Sequence, residues 1–527
     1  MADSVAPIAA QIAAALVNAE GDQGAVLARM NRGIEKESLR ITTDGVLSSQ
    51  PHPAALGSAL THPNITTDFS EAQPELITDV HTSPEAVIKQ LQDVHRFVYQ
   101  SLDNELLWTA SMPCILGADA DIPVGRYGNS NIATAKTIYR LGLGNRYSRL
   151  MQTISGIHYN FSAPEDFWPL LAKVRDSRPD RDFRTDAYFG LIRNFRRYSW
   201  LLIYLFGASP AICKSFARNQ SHQLDQFDEG SLYLPDATSL RMGRLGYQSE
   251  AQSALHISYN SLEQYAQSME TALTQPYPRY EEIGVKVDGE YRQLNSALLQ
   301  IENEFYGTIR PKRRIASGER PLTALRERGV EYVEVRCLDL NPFLPVGIDE
   351  LQIRFIDVFL LYCLIADSPP DSQEESELMG RNQLAIVERG RTPNLDLLNG
   401  ERVVSRDEWA KDILAECQIL AELFDKATNS DLYSYAVAEQ ITKVNDPSLT
   451  PSARMIAIMS QQGIPFFRFA MNQSIAHKGY FDEHPLRGSQ LAWHQAVSFK
   501  SLDRQQEIES ADRDDFDTFL ENYLALQ

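Results

Sequence analysis

Four short segments of this chain alternate polar and apolar residues with a period of two, and each carries carboxylates, a histidine or an arginine on its polar side. Strands of that kind place one face in water and bury the other. They specify an antiparallel sheet that lines a wet cavity and packs its back on helices. No other feature of the sequence restricts the fold as strongly.

The first segment, Arg32 to Arg40 (RGIEKESLR), puts Glu35 and Glu37 on one face, about 7 Å apart. Two acids that close repel unless a divalent cation or solvent relieves them. The second, Thr66 to Thr78, holds Asp68, Glu71 and Glu75. Its Pro74 points to an edge or irregular strand, in which Glu71 and Glu75 share a face behind a turn at Asp68. The third, Gln152 to Ser162, reads as a strand with Gln152, Ile154, Gly156, His158 and Asn160 on one side and Ile157, Tyr159 and Phe161 on the other. Gly156 exposes backbone to a close approach, His158 can ligate a metal or titrate, and Asn160 can donate to an oxyanion.

In the fourth segment, Glu331 to Asn341, Glu334 stands beside Arg336, with Val333, Val335 and Cys337 behind them. That pair is either a cross-strand ion pair or a carboxylate for a cation next to a guanidinium for a phosphoryl group. Just upstream, Arg310, Lys312, Arg313 and Arg314 crowd four cations into five positions, an anion trap or a solvated charge run. Taken singly, each segment has a plain structural reading. The sequence has no GxxxxGK[ST], no GxGxxG after a strand, no GxSxG and no HExxH. A carboxylate-rich sheet whose magnesium ions grip phosphates is the available alternative to a phosphate-binding loop.

Helical spacing is expected over Pro84 to Leu107, Arg184 to Phe206, Ser261 to Thr274, Gly347 to Ala366 and Asp407 to Ala427, which makes the fold class α+β. The polar segments 369–377 and 388–401 divide a catalytic body, 1–366, from a mainly helical C-terminal part, 367–527, packed on the same body. The last 27 residues hold eight acids against two arginines, yet Phe516, Phe519, Leu520 and Tyr523 recur at helical spacing, so a solvated amphipathic helix is expected there.

With 50 Lys+Arg against 70 Asp+Glu, the net charge of −20 disfavours nucleic acid and anionic membrane as partners. The most lipid-like runs, Trp200 to Phe206 and Val358 to Ala366, fall far short of the roughly 18 apolar residues a membrane span needs. The first 22 residues carry Asp3 and no positive start, so they read as a short surface helix and not as an export signal. Cys114, Cys213, Cys337, Cys363 and Cys417 are far apart without a CxxC, which favours free thiols in the core of a cytoplasmic protein.

Together the motifs RGIEKESLRI, HPAALGSALTHPNITTDFSEAQPELIT, MQTISGIHYNFS, YLFGASPAIC, ATSLR with LGY, IENEFYGTIRPKR and EYVEVRCLDLNPF resemble the bacterial type of glutamate–cysteine ligase (γ-glutamylcysteine synthetase). The likeness runs from about residue 31 to residue 366, weakly through ERGRTPNLDL and PSARMI, and fades after about residue 460. It implies a fold similar to glutamine synthetase, a curved, mostly antiparallel sheet forming a funnel with helices outside. It places metal ligands at Glu35, Glu37, Asp68, Glu75, His158 and Glu334, nearly the acids that strand parity selects. It sets Phe69, Tyr139, Leu143, Gln152, Arg241, Tyr247 and Tyr306 around cysteine, with Arg241 facing its carboxylate and Tyr247 on a closing loop. Arg336 is implied to face the γ-phosphate, with Glu334 beside it in the catalytic centre, and Asn160, Arg310 and Lys312 are further phosphate-binding candidates.

The activity so implied joins the γ-carboxylate of glutamate to the amine of cysteine at the expense of ATP, with Mg2+ (or Mn2+) as cofactor, the first step of glutathione synthesis. The expected partners are small molecules, and the expected state is a monomer. Three rival readings are a ligase with a different amine acceptor, a binding regulator without turnover, and a metal-dependent hydrolase. No second, glycine-rich ligase domain is seen, so glutathione itself is not an expected product.

Overall fold

The computed structural model describes residues 4–17, 26–113, 115–218, 221–246, 250–253, 255–316 and 318–525. Its central sheet has six strands: β1 (Asn31–Glu37), β2 (Ile65–Thr67), β3 (Pro74–Ile77), β4 (Ile157–Ser162), β5 (Ile309–Lys312) and β6 (Tyr332–Leu338). Every neighbouring pair is antiparallel, in the spatial order β5-β6-β4-β1-β3-β2.

The register decides which side chains meet. Glu35 lies opposite His158, Glu37 opposite Glu75, Gly33 and Glu334 opposite Asn160, and Arg310 opposite Glu334. Residues opposite one another in an antiparallel ladder share a face, so the charged positions of five strands fall on one side. Behind them Ile34, Leu76, Ile157, Tyr159, Phe161, Ile309, Val333 and Val335 are all buried. A register irregularity follows Val335, where Arg336 sits.

Helices surround the sheet and cover its apolar back. In chain order the main ones are α1 (Ala6–Val17), α2 (Pro84–Ser101), α3 (Asn131–Tyr147), α4 (Arg181–Phe206), α5 (Glu350–Ile365), α6 (Gln373–Arg389), α7 (Arg406–Thr428), α8 (Leu432–Asn445), α9 (Phe466–Glu483), α10 (Gly488–Ala511) and α11 (Phe516–Leu524). α4 and α5 pack on each other and are buried almost all round, as their runs of unbroken apolar sequence demand. From α5, Asp357 reaches the sheet: it pairs with Arg32 at 2.8 Å and accepts the Tyr159 hydroxyl at 2.6 Å, all without solvent. One hydrophobic core runs from α1 through the sheet's back into α7 and α8.

The α+β architecture agrees with the sequence. The differences are local. The Pro84 helix stops at Ser101, because Asn104 takes a left-handed conformation and Glu105–Leu107 turns into a strand paired with Arg40–Thr42. α1 is no surface helix: Val5, Ala9 and Ile12 are buried in the core, while residues 18–22 lie outside the described residues. Cys337, Cys363 and Cys417 are free and buried as expected, but Cys213 is disulfide-bonded, since separation along a chain does not limit approach in space. Cys114 lies outside the described residues. Among the described residues no helix is long and apolar enough to cross a membrane.

Candidate active site

On the polar face the carboxylates converge on one histidine. His158 Nδ1 lies 3.2 Å from Glu35 Oε2 and 4.0 Å from Glu334 Oε1, and Nε2 lies 3.4 Å from Glu37 Oε1. Two groups of possible ligand atoms result, each within 4.8 Å: Glu35, His158 and Glu334, and Glu37, Glu75 and His158. The Nε2 atom is buried and has no hydrogen-bond partner. An orphaned imidazole nitrogen among acids is the donor set a divalent cation requires. Asp68 is half-buried beside these groups and raises the pKa of Glu37 and Glu75, but its carboxylate belongs to neither set.

Cations stand at the other end of the same face. Arg336 donates to Glu334 at 3.1 Å, Lys312 lies 3.3 Å from it and Arg310 3.9 Å. Asn160 donates to Glu35 at 2.8 Å. Of the four clustered cations, Arg313 and Arg314 turn aside to Glu331, so two of the four serve this face.

This division of charge splits the acids. Burial pushes Glu37 up to about 8, aided by Asp68, and pushes Glu75 well up with the help of Glu35, Asp68 and Glu37. Burial also works against ionised Glu334, but Lys312, Arg336, His158 and Arg310 overcome it and hold that carboxyl well below its usual range. Burial opposes ionised Glu35 too, yet the hydrogen bond with His158 leaves its pKa lowered. Burial lowers His158, with Arg336 adding to the effect. The imidazole is thus kept neutral, the form that ligates.

Beside the charged face lies an apolar and aromatic cluster. Phe69, Leu143 and Tyr139 pack into one cluster with Tyr147, the last three carried by α3. Tyr147 meets Tyr306 edge to face at 5.6 Å, and Gln152 donates to the Tyr306 hydroxyl at 3.0 Å. Gln152 sits on a single 3-10 turn, Met151–Thr153, and not on the strand that its alternation suggests. Tyr247 lies outside the described residues.

Arg241 is fully buried, donating to the Arg336 carbonyl at 3.0 Å, with Asp339 at 3.7 Å. It explains Gly156, since a Cβ there would stand 2.1 Å from the Arg241 Nη2. The close approach expected at Gly156 is therefore made by the protein's own arginine. Glu71 departs from its expected face. Ser70 to Gln73 forms a turn, and the Glu71 carboxylate accepts the backbone amides of His52 and Arg126.

Sequence reading missed the support of this cluster. Glu304 and Arg146 form a solvent-free ion pair at 2.8 Å, and Glu304 also accepts the Tyr147 hydroxyl at 2.8 Å. Gln252 donates to the Tyr147 hydroxyl and accepts the Tyr306 amide. The available signal was two acids, Glu302 and Glu304, directly before the aromatic pair Phe305-Tyr306 in IENEFYG.

An open sheet whose carboxylates and cations share one face beside an apolar cluster is the architecture of an enzyme, and the comparisons place that enzyme among the ligases. The family model described as glutamate–cysteine ligase matches residues 16–386. The glutamate–cysteine ligase of Alcanivorax borkumensis is 50% identical over 97% of this chain and 98% of its own, and that of Azotobacter vinelandii 51% identical over 94% of each. Among solved structures, the glutamate–cysteine ligase of Francisella tularensis in complex with AMP matches with a TM-score of 0.89 at 36% identity, covering 94% of this chain and 97% of that one. A bifunctional glutathione synthetase from Pasteurella multocida matches with a TM-score of 0.71 at 26% identity, over 92% of this chain and 58% of that one. The chain belongs to the glutamate–cysteine ligase family. Its likeness to relatives, expected to fade after residue 460, spans nearly the whole chain.

Proposed function

We propose that this enzyme makes γ-glutamylcysteine in two chemical steps on the polar face of the sheet. The γ-carboxylate of glutamate attacks the γ-phosphorus of ATP, giving γ-glutamyl phosphate and ADP. The amine of cysteine then attacks the activated carbonyl, the amide forms, and inorganic phosphate leaves. The observation that carries this reading is the single face on which five potential ligand side chains, with Asp68 alongside, stand next to three cations, in a chain half identical to glutamate–cysteine ligases.

The donor set fits a hard divalent cation: carboxylates, an orphaned imidazole nitrogen and two acids that burial keeps from ionising without a counter-charge. Glu35, Glu37, Glu75, His158 and Glu334 would hold it, with Asp68 alongside. Bound there, magnesium or manganese supplies charge neutralisation for the phosphates.

The protein's own groups do the rest. Arg336, Arg310 and Lys312 are aimed at the end of the face where negative charge builds on the transferring phosphoryl group. Glu334 fixes Arg336 by a direct hydrogen bond, and Arg241 holds the backbone carbonyl of the same residue. Asn160 orients Glu35. Phe69, Tyr139, Leu143, Gln152 and Tyr306 line the recess we assign to the amine acceptor.

The test is product formation. Purified enzyme with ATP, Mg2+, glutamate and cysteine should release ADP and phosphate in step with γ-glutamylcysteine. A panel of other amino acids should turn over more slowly than cysteine. ATP hydrolysis without peptide, or a preferred acceptor other than cysteine, would defeat the assignment.

A further inference from the structure

The acidic C-terminal stretch is not a free solvated helix. From Glu509 to Tyr523 it straps across the outside of α3 and of the segment before Tyr306. Glu509 accepts the Asn129 amide at 2.9 Å, Asp512 accepts the Asn131 amide, and the Asp514 carbonyl accepts the Asn131 side chain at 2.9 Å. These contacts place acids at the N-terminus of α3, where a helix favours negative charge. Farther on, Phe516, Phe519, Leu520 and Tyr523 form an apolar cluster with Ala135, Ile138, Tyr139, Leu294 and Ile301.

Tyr139 belongs to this outer cluster and also to the inner one with Phe69 and Leu143. The strap reaches the opposite wall as well. Arg320 donates to the Tyr523 carbonyl at 3.2 Å and forms an ion pair at 2.9 Å with Glu302, at the head of the turn that leads to Tyr306. The inner end of α3 has a separate anchor in the Arg146–Glu304 pair. So the strap bears on the two recess walls, while none of its contacts above touches the carboxylate face.

We infer that the C-terminal strap is a positioning element for the amine-acceptor recess: through Leu520 and Asp512 it sets the spacing of Tyr139 and Tyr306, and with it the affinity for the acceptor amino acid. This rests on the acceptor assignment proposed above. A displacement of walls by a fraction of an ångström weakens a small, well-fitted ligand and spares one that needs no side-chain contact.

The test uses the full-length enzyme with Leu520→Ala, Leu520→Met and Asp512→Asn. Leu520→Ala should raise KM for cysteine about three- to tenfold while KM for ATP and glutamate stays within about twofold. Hydroxylamine, which captures the acyl phosphate without filling the recess, should react at the wild-type rate. Leu520→Met, which keeps the volume, should restore KM for cysteine. Asp512→Asn, a change at an exposed side chain, should shift it less and in the same direction. An unchanged KM for cysteine in both Leu520→Ala and Asp512→Asn, or a parallel rise in all three KM values, overturns the inference. A wild-type enzyme that makes no γ-glutamylcysteine would instead overturn the function it rests on.

Discussion

Glu334→Gln removes one negative charge and almost no volume, at the point where the proposed ligand carboxylates meet the cations we assign to the phosphates. Glu334 is buried with Arg336 at 3.1 Å, Lys312 at 3.3 Å and Arg310 at 3.9 Å. At an effective dielectric near 20 each contact is worth about 4–5 kcal/mol before desolvation. Lys312 and Arg336 keep part of their surface in water, so they can rehydrate, and the net loss of stability should be about 1–3 kcal/mol. The effect on turnover should be larger. Loss of groups that merely orient a ligand costs 10- to 100-fold, so replacing a ligand carboxylate by an amide should cost at least about 100-fold. The assay is ADP release with glutamate and cysteine across a magnesium titration, paired with a thermal melt. The expected result is a folded protein, melting slightly early, whose turnover is not restored by magnesium. A variant within a few-fold of the wild-type rate would refute the role given to Glu334.

Three further outcomes follow from the geometry. Folded Glu37 keeps its proton up to about pH 8, against about 4.5 when unfolded, so between those values the folded state holds more protons and stability falls as pH rises. In EDTA the Tm should therefore drop from pH 5 to pH 8, and Mg2+ should remove the drop; a flat profile in EDTA would contradict this. Asp357→Asn should destabilise by about 3–5 kcal/mol, because it strands the buried Arg32 charge behind the sheet, and urea unfolding measures it. Gly156→Ala should push the Arg241 guanidinium off the Arg336 carbonyl and lower kcat at least about tenfold, with unchanged activity as the contrary result.

What the sequence revealed followed from its shortest-range signals. Strand parity is local, so the shared face of Glu35 and Glu37, the outward turn of His158 and Asn160, and the pairing of Glu334 with Arg336 were all legible from alternation. Their convergence on one sheet was not, because register between β1, β4 and β6 depends on partners more than 100 residues apart. The same limit hid the Arg146–Glu304 pair and the reason for Gly156. Gln152 misled because alternation continues across a 3-10 turn. Glu71 misled because a turn at Ser70 to Gln73 breaks the two-residue period before β3. In the acidic tail the helical apolar stripe was legible, but a helix of such charge reads as solvated, and nothing local shows that the stripe packs on α3.

The central claim is that the enzyme activates the glutamate γ-carboxylate by phosphorylating it. Supplying glutamate labelled with 18O in that carboxylate and analysing the released phosphate by mass spectrometry tests it directly. One labelled oxygen should pass into phosphate for each γ-glutamylcysteine formed, the other remaining in the new amide. Phosphate released without label, at a normal rate of peptide formation, would show that the carboxylate never attacks ATP.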